Sequence, residues 1–380
     1  MHVVSGERIL LPFIVSPFRD GLRTNEATGQ EAPITSMTAD EEESPSAKAR
    51  QAVQSIGRVA ASVLAREYLI NDFFGGWAPE DIDFLRKYQL ATLPQPDDDE
   101  IIDFLGIRTA IAYHGWVTRP SSGGITVAEI PVPDDHIHAE AIEYLGLLMA
   151  LERGLEKQRP DFVAVELGAS YGPWVTAAGV LALRQGFGHA TLIAIEASAA
   201  AVPRITEHGS RNGLTANERV TFKAVHGAAF VRDEPVYFPR VNVSVDNGAQ
   251  ISLDKAGKDY RGVEVEYDEV QGYSFASMTK DVETVDFLHM DLQGAEEMLL
   301  QDEDFLRVVT GKVATLFLAT QSRFIEGLAL KILPPHGWRL VRERPTTYVQ
   351  HGRTDDVNGW TIRDGGQLWL NPRFSSMHCN

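Results

Sequence analysis

Residues 162–172 read F-V-A-V-E-L-G-A-S-Y-G, and this stretch restricts the fold of the chain more than any other. A short apolar run ends in Glu166, Gly168 and Gly172 bracket a tight turn, and a helix-compatible segment follows. Strand, glycine turn and helix in that order make the entry to a nucleotide-type site in an α/β sheet, outside the carboxyl ends of the strands. The two glycines permit positive φ or close backbone approach. A helix starting at Pro173 is expected to aim its first amides at the ligand.

Downstream the pattern alternates as such a sheet requires. Strands are expected at 162–167, 191–195, 220–225, 285–290 and 313–318, with closing strands at 339–343 and 367–370. Helices are expected between them at 175–184, 199–208, 295–309 and 325–333. Residues 226–273 break the rhythm, and extra strands are read at 236–238, 241–245 and 263–267. Upstream, helices are expected at 51–69, 79–88 and 139–158, with small strands and turns over 101–130. Residues 23–49 are polar and lack apolar periodicity, as a linker or arm does. Three parts follow: a mobile arm (1–50), a helical or α+β region (51–158) and a catalytic-type domain (159–380). The middle part is expected to fold over the ligand edge as a cap or to mediate homodimerisation.

Composition narrows the partners. Hydrophobic residues make up 44% and charged residues 23%, a soluble globular balance, and no run approaches the length of a membrane span. Residues 9–15 are apolar but short and broken by Pro12, so no signal peptide is expected. The formal charge of −18 argues against nucleic acid, which is bound by neutralising phosphates. Cys379 is the single cysteine, so no intrachain disulfide forms and a reducing cytoplasm is the simplest location.

Glu196 closes the second strand, 30 positions after Glu166. An acid there can accept hydrogen bonds from both hydroxyls of a ribose, which NAD and S-adenosylmethionine share. Ala169 and Ser170 stand where the dinucleotide fingerprint places a second glycine for the pyrophosphate. That favours the methyl donor, which has no pyrophosphate to seat. The other reading makes Gly168 and Gly172 a packing turn and Glu196 an exposed helix-entry acid. The fourth strand ends in Asp291, followed by Leu292-Gln293-Gly294-Ala295-Glu296. Asp291 would sit on the same rim as Gly168; it could also cap the helix that follows, and the two roles can coexist.

With these motifs the chain resembles the FkbM family of S-adenosylmethionine-dependent O-methyltransferases. The family's acid-x-Gly-Ala-Asn-x-Gly is matched by Glu166-Leu167-Gly168-Ala169-Ser170-Tyr171-Gly172, its second-strand acid by Glu196, and a following Asn by Asn212. Its string hydrophobic-Asp-x-x-Lys-x-Asp-x-Glu-Gly-Ala-Glu is matched from Val285 to Glu296, with His289 for Lys and Gln293 for Glu. Ser170 stands for Asn. Some members carry Thr-His-Ser-Arg closing the fifth strand; here Thr320-Gln321-Ser322-Arg323 lacks that imidazole, which shifts the weight onto Asp291.

The resemblance implies a Rossmann-like class I methyltransferase sheet with helices on both faces. It also implies a β insertion between core strands 3 and 4, here preceded by an N-terminal α+β extension. S-adenosyl-L-methionine is the implied cofactor, and a hydroxyl of a sugar, glycan or glycosylated metabolite the implied acceptor. The expected cofactor contacts are Glu166, Gly168, Ala169, Ser170, Tyr171, Gly172, Glu196, Ala197, Ser198 and His226. Asp291 is the candidate base or orienting group, because a sugar hydroxyl is a poor nucleophile at neutral pH. His289 lies two residues earlier on the same strand face, placed to tune Asp291 or to be a satisfied core histidine. Tyr171 packs on the donor's methionine part or covers the sheet edge; His226 meets the adenine or lies on a surface loop. His136, His138 and Glu140 have a metal-like spacing but read more simply as a helix entry, and no metal ligand is assigned. Arg323 and Arg339 could bind an acidic sugar, and the aromatic residues Trp77, Tyr88, Phe104, Tyr113 and Trp116 could wall the acceptor or form core. A non-catalytic donor-binding protein is the alternative function, motivated by Gln293 and Gln321, and an NAD-dependent oxidoreductase the weaker one.

Overall fold

Seven strands form the central sheet of the computed structural model, which describes residues 75–374 except 247, 256, 351 and 353. In chain order they are β1 (Asp161–Leu167), β2 (His189–Glu196), β3 (Val220–His226), β4 (Val285–Met290), β5 (Val313–Thr320), β6 (Arg339–Arg344) and β7 (Gly365–Leu370). The spatial order is β6-β7-β5-β4-β1-β2-β3. All neighbours among β1 to β5 run parallel, and β7 is inserted antiparallel between β5 and β6. This is an α/β sheet with helices on both faces, the arrangement that the resemblance implies.

The buried strands are largely apolar because both faces are covered. Along β1, Phe162 and Ala164 enter one core, whereas Val163, Val165 and Leu167 enter the other. The first core is completed by α1 (Ala141–Glu156) and α2 (Pro173–Gln185), through Leu145, Leu148, Val175 and Leu181. Pro173 at the first turn of α2 and Gly186 in the left-handed region after it punctuate that helix. Helix α3 (Val202–Arg211) follows β2. On the other face, α4 (Glu303–Lys312) and α5 (Arg323–Ile332) bury Phe305, Leu306, Ile325 and Ala329 with Leu288, Leu316 and Trp369.

The chain winds outward through β1, β2 and β3, then returns to place β4 on the opposite side of β1. The β1–β4 boundary is therefore the topological switch point, where ligand crevices open. Met290 pairs with Leu167, Leu167 with Ile195, and Glu196 with His226, so the strand ends share one rim.

Three segments differ from the periodic reading. Residues 241–245 form a turn, because Asn242 Oδ1 accepts the Ser244 amide at 3.1 Å and an Asx turn competes with the strand. The last insertion strand is Tyr267–Tyr273; residues 263–266 precede it, with Asp259 holding the Val263 amide at 3.0 Å. The helix expected over 295–309 is split into Glu296–Leu300 and α4, because Asp302 caps a new helix through the Phe305 amide at 2.7 Å. The insertion itself, between β3 and β4, is a small sheet of Ala228–Ala229, Pro235–Pro239 and Tyr267–Tyr273.

Before α1, Glu100–Ile102, Arg108–Ala110 and Ile125–Thr126 form a three-stranded sheet, preceded by the helix Pro79–Arg86. Leu85, Phe104 and Leu105 belong to the same core as α1 and α2. Asn212 ties this extension to the end of α3: its side chain accepts the Arg108 amide at 2.9 Å and donates to the Arg108 carbonyl at 2.8 Å. The helix expected at 51–69, the 1–50 arm and Cys379 lie outside the described residues. Among the described residues, no helix is long and apolar enough to cross a membrane.

Candidate active site

The turn after β1 alternates into the left-handed region at Gly168 (φ 76°), Ser170 (φ 49°) and Gly172 (φ 73°). A Cβ on Gly168 would stand 1.9 Å from the carbonyl oxygen of Asp291, so only glycine lets the β1 and β4 ends approach. The Asp291 amide in turn donates to the Leu167 carbonyl at 3.0 Å. Ser170 adopts a conformation that Asn and Gly populate more readily, consistent with Asn as the alternative residue there.

Two acids organise the turn in different ways. Glu166 is fully buried and accepts the amides of Trp174 (3.3 Å) and Val175 (2.9 Å), the first turn of α2. The helix amides expected to face a ligand are thus taken by the protein's own carboxyl, satisfying groups a helix start leaves open. Burial holds the Glu166 carboxyl well above the usual range. Glu196 accepts the Ser170 amide at 2.7 Å and the Ser198 amide at 2.6 Å, and burial raises it against those hydrogen bonds. Those bonds fix its orientation toward the pocket beside it.

That pocket, a partly open space, lies between the turn and the insertion. Gly168, Ser170, Glu196, Ala197 and Ser198 line it, together with Gly227, Ala228 and Ala229 after β3. Phe238, Val241, Val243 and Ile251 of the insertion supply an apolar wall, closed at the β4 side by Leu292 and Ala295. No Lys or Arg is among these lining residues, and Glu196 and Asp246 are the only charged ones. The insertion wall was not found by sequence reasoning, although its apolar run beside Gly227 was a usable signal.

The other expected cofactor contacts fall outside this lining. Ala169 is buried and donates its amide to the Ile195 carbonyl at 3.0 Å. Gly172 serves the entry to α2, where a Cβ would meet Ile205 at 2.9 Å. The Tyr171 ring turns to the extension, with centroids 5.2 Å from Tyr113 and 5.3 Å from both His114 and His208. His226 is exposed, its Nε2 3.2 Å from the Ala197 carbonyl.

Asp291 stands at the end of β4 with its carboxyl held by amides. Gln293 Nε2 donates to Oδ1 at 2.8 Å and Gln321 Nε2 to the same oxygen at 3.0 Å. Burial, then the charges of Asp364 and Glu143, push this carboxyl up to about 8. Glu296 ties the turn itself, accepting the amides of Leu292 and Gly294, the latter at 2.7 Å. His289 lies in a separate layer. Its ring stacks on Phe317 (4.8 Å) and Trp174 (5.3 Å), Nε2 is 3.2 Å from Glu143 Oε2, and burial lowers it to about 3. It is a core imidazole paired with Glu143.

A second, more open cleft adjoins the first and shares Val241 and Asp246 with it. Gln293, Gln321, Asn358 and Asp364 face it from four separate segments. Sequence reasoning passed over Asn358 and Asp364, which carry no local motif. The remaining candidates do not converge on it. His136 pairs with Asp134, His138 with Asp135, and Glu140 with Arg344 and Arg363. Tyr88 and Phe104 are core, Trp116 is exposed, and Arg323 pairs with Glu326 at 3.6 Å. Among the described residues, no group of three or more His, Cys, Asp or Glu side chains could hold a metal ion.

Residues 166–326 match the family model described as the methyltransferase FkbM domain. A curated relative from Jannaschia sp. (strain CCS1), "Putative methyltransferase", is 24% identical over 259 residues, covering 64% of this chain and 84% of its own. Among solved structures, the precorrin-6y C5,15-methyltransferase of Geobacter metallireducens GS-15 is 13% identical at a TM-score of 0.30, covering 61% of this chain and 87% of that one. Precorrin 8W decarboxylase of Methanobacterium thermoautotrophicum is 12% identical at a TM-score of 0.29, covering 58% and 88%.

Proposed function

Since the chain belongs to the FkbM methyltransferases through residues 166–326, we propose that it is an S-adenosylmethionine-dependent O-methyltransferase acting on a hydroxyl of a sugar, glycan or glycosylated metabolite. The observation that carries this reading is the pocket at Glu196, which adjoins a more open cleft faced by Gln293 and Gln321, the two side chains that hold the Asp291 carboxyl. The pocket suits the methyl donor better than a dinucleotide. Its lining includes no basic side chain, and the helix amides that would seat a phosphate are occupied by Glu166. Glu196 would accept the ribose hydroxyls, and Phe238, Val241 and Ile251 would flank the base.

Bound there, S-adenosylmethionine would supply an electrophilic methyl group on sulfur. Asp291 is proposed to accept the acceptor hydroxyl's proton as the new oxygen–carbon bond forms and the sulfur–carbon bond breaks. Holding both partners in line supplies much of the acceleration. Gln293 and Gln321 orient the carboxyl from one side, which gives these two departures from the family string a positive role. His289 is assigned to positioning of the β4 end rather than to proton transfer, because its recorded hydrogen-bond partner is Glu143. Within the 51–158 region, Tyr113 and His114 are proposed to brace the turn at Tyr171, with homodimerisation as the region's alternative role, and the cytoplasm is proposed as the location.

Calorimetry with S-adenosylmethionine, S-adenosylhomocysteine and NAD tests the cofactor: the two sulfur nucleotides are expected to bind, and NAD alone binding would reverse the reading. A base must be ionised, and the Asp291 carboxyl is neutral below about 8. Methyl transfer is therefore expected to rise roughly tenfold per pH unit below that point and to level off above it. A flat rate between pH 6 and 8 would remove Asp291 from the proton path.

A further inference from the structure

Building on the acceptor site of that reading, we propose that the acceptor is an amino sugar, whose ammonium group is received by Asp364 while a neighbouring hydroxyl faces Asp291. The cleft's hydrogen-bond inventory points there. Its arginines and glutamines are already engaged by the protein. Arg261 holds Asp246 at 2.7 and 3.0 Å and also pairs with Asp259; Arg240 holds Asp268 and Glu266. Behind Asp364, Arg344 pairs with Glu140 and gives a further N–H to the Asp364 carbonyl; Arg363 is taken by Glu140 and Asp134. Gln293 donates to Asp291, and Gln321 bonds both Asp291 and Asp364.

What remains open is of the opposite kind. Asn358 is only 6% exposed, lines the cleft, and its Oδ1 has no hydrogen-bond partner. Gln250 Oε1 is likewise buried without a partner, close to Gly294. Asp291 and Asp364 add two carboxyls, each raised by burial, with the charge of Asp364 adding to the rise at Asp291. A phosphate or carboxylate on the acceptor would bring only hydrogen-bond acceptors, which neither Asn358 Oδ1 nor Gln250 Oε1 can meet. Hydroxyls bring donors, and an ammonium brings three donors with a positive charge that an ionised Asp364 attracts. A neutral sugar would satisfy Asn358 but bring no charge to Asp364, which Gln321 and the charge of Arg344 meet only in part.

The test uses the full chain saturated with S-adenosylhomocysteine and probed by saturation-transfer NMR with glucosamine, glucose, glucuronate and glucose 6-phosphate. Glucosamine is expected to bind at least about tenfold more tightly than either anionic sugar, on the scale of one charge-assisted contact. Asp364→Asn is expected to bring glucosamine down to the level of glucose while S-adenosylhomocysteine affinity, the check on folding, stays within about twofold. Equal or tighter binding of glucuronate or glucose 6-phosphate overturns the proposal. So does an Asp364→Asn chain that keeps its glucosamine preference, or binding of none of the four sugars. Failure of S-adenosylhomocysteine itself to bind would instead strike the methyltransferase reading on which this one rests.

Discussion

The two halves of the crevice are made from different materials. The rim of the pocket at the β1 and β2 ends is built largely from backbone: a turn with three left-handed residues, the amides of Ser170 and Ser198, and one acid they hold in place. The cleft at the β4 and β5 ends is built from side chains, with Gln293, Gln321, Asn358 and Asp364 drawn from segments far apart in sequence. A backbone-built rim demands particular residues at consecutive positions, so it writes a motif. A side-chain-built rim can be reached by many routes, so it does not. Under the proposed function, the first half would take the methyl donor and the second the acceptor.

Substitutions can break this contrast, beginning with the largest effect. Asp291→Asn is expected to lower turnover by about 10²–10⁴-fold, the range of general-base catalysis, with S-adenosylhomocysteine affinity within about twofold. Paired loss of donor affinity would mean that the side-chain rim also builds the donor pocket. Gly168→Ala forces a Cβ into the Asp291 carbonyl and should weaken donor binding by about 100-fold, with a lower unfolding midpoint. An alanine variant that binds normally would show that the β1–β4 approach is not needed.

Glu196→Gln keeps the size of the side chain but removes the charge. Donor affinity should fall about tenfold in calorimetry, as for a weakened charge-assisted hydrogen bond. The smallest effect is expected at Asn212→Ala. It removes the tie to Arg108 and should cost about 1 kcal/mol in denaturant unfolding while leaving donor affinity unchanged. A loss of donor affinity there would give the extension a direct part in the pocket.

Legibility followed the same division. The order of strands and helices after residue 161 was readable, because runs buried on both faces are continuously apolar and helices carry a 3.6-residue period. It failed at 241–245, where valines alternate with Asn and Ser as in a strand but the Asn242 side chain turns the backbone. Within the turn motif, Gly168, Ser170 and Glu196 were placed at the pocket by their order alone. Tyr171 was not, since its direction depends on Tyr113, His114 and His208, which come from elsewhere in the chain. Gln293 and Gln321 read as departures from a family string, and only their convergence on one oxygen of Asp291 gave them a role.

The amino-acid sequence by itself determined the succession of strands and helices after residue 161 and the acids Glu196 and Asp291 at two strand ends, because periodicity and glycine conformations act over a few residues. Tertiary structure alone decided which amides reach Asp291, that the Glu166 carboxyl accepts the first amides of α2, and that the arginines and glutamines of the second cleft are engaged by the protein. Those outcomes depend on distances between segments that no local pattern encodes.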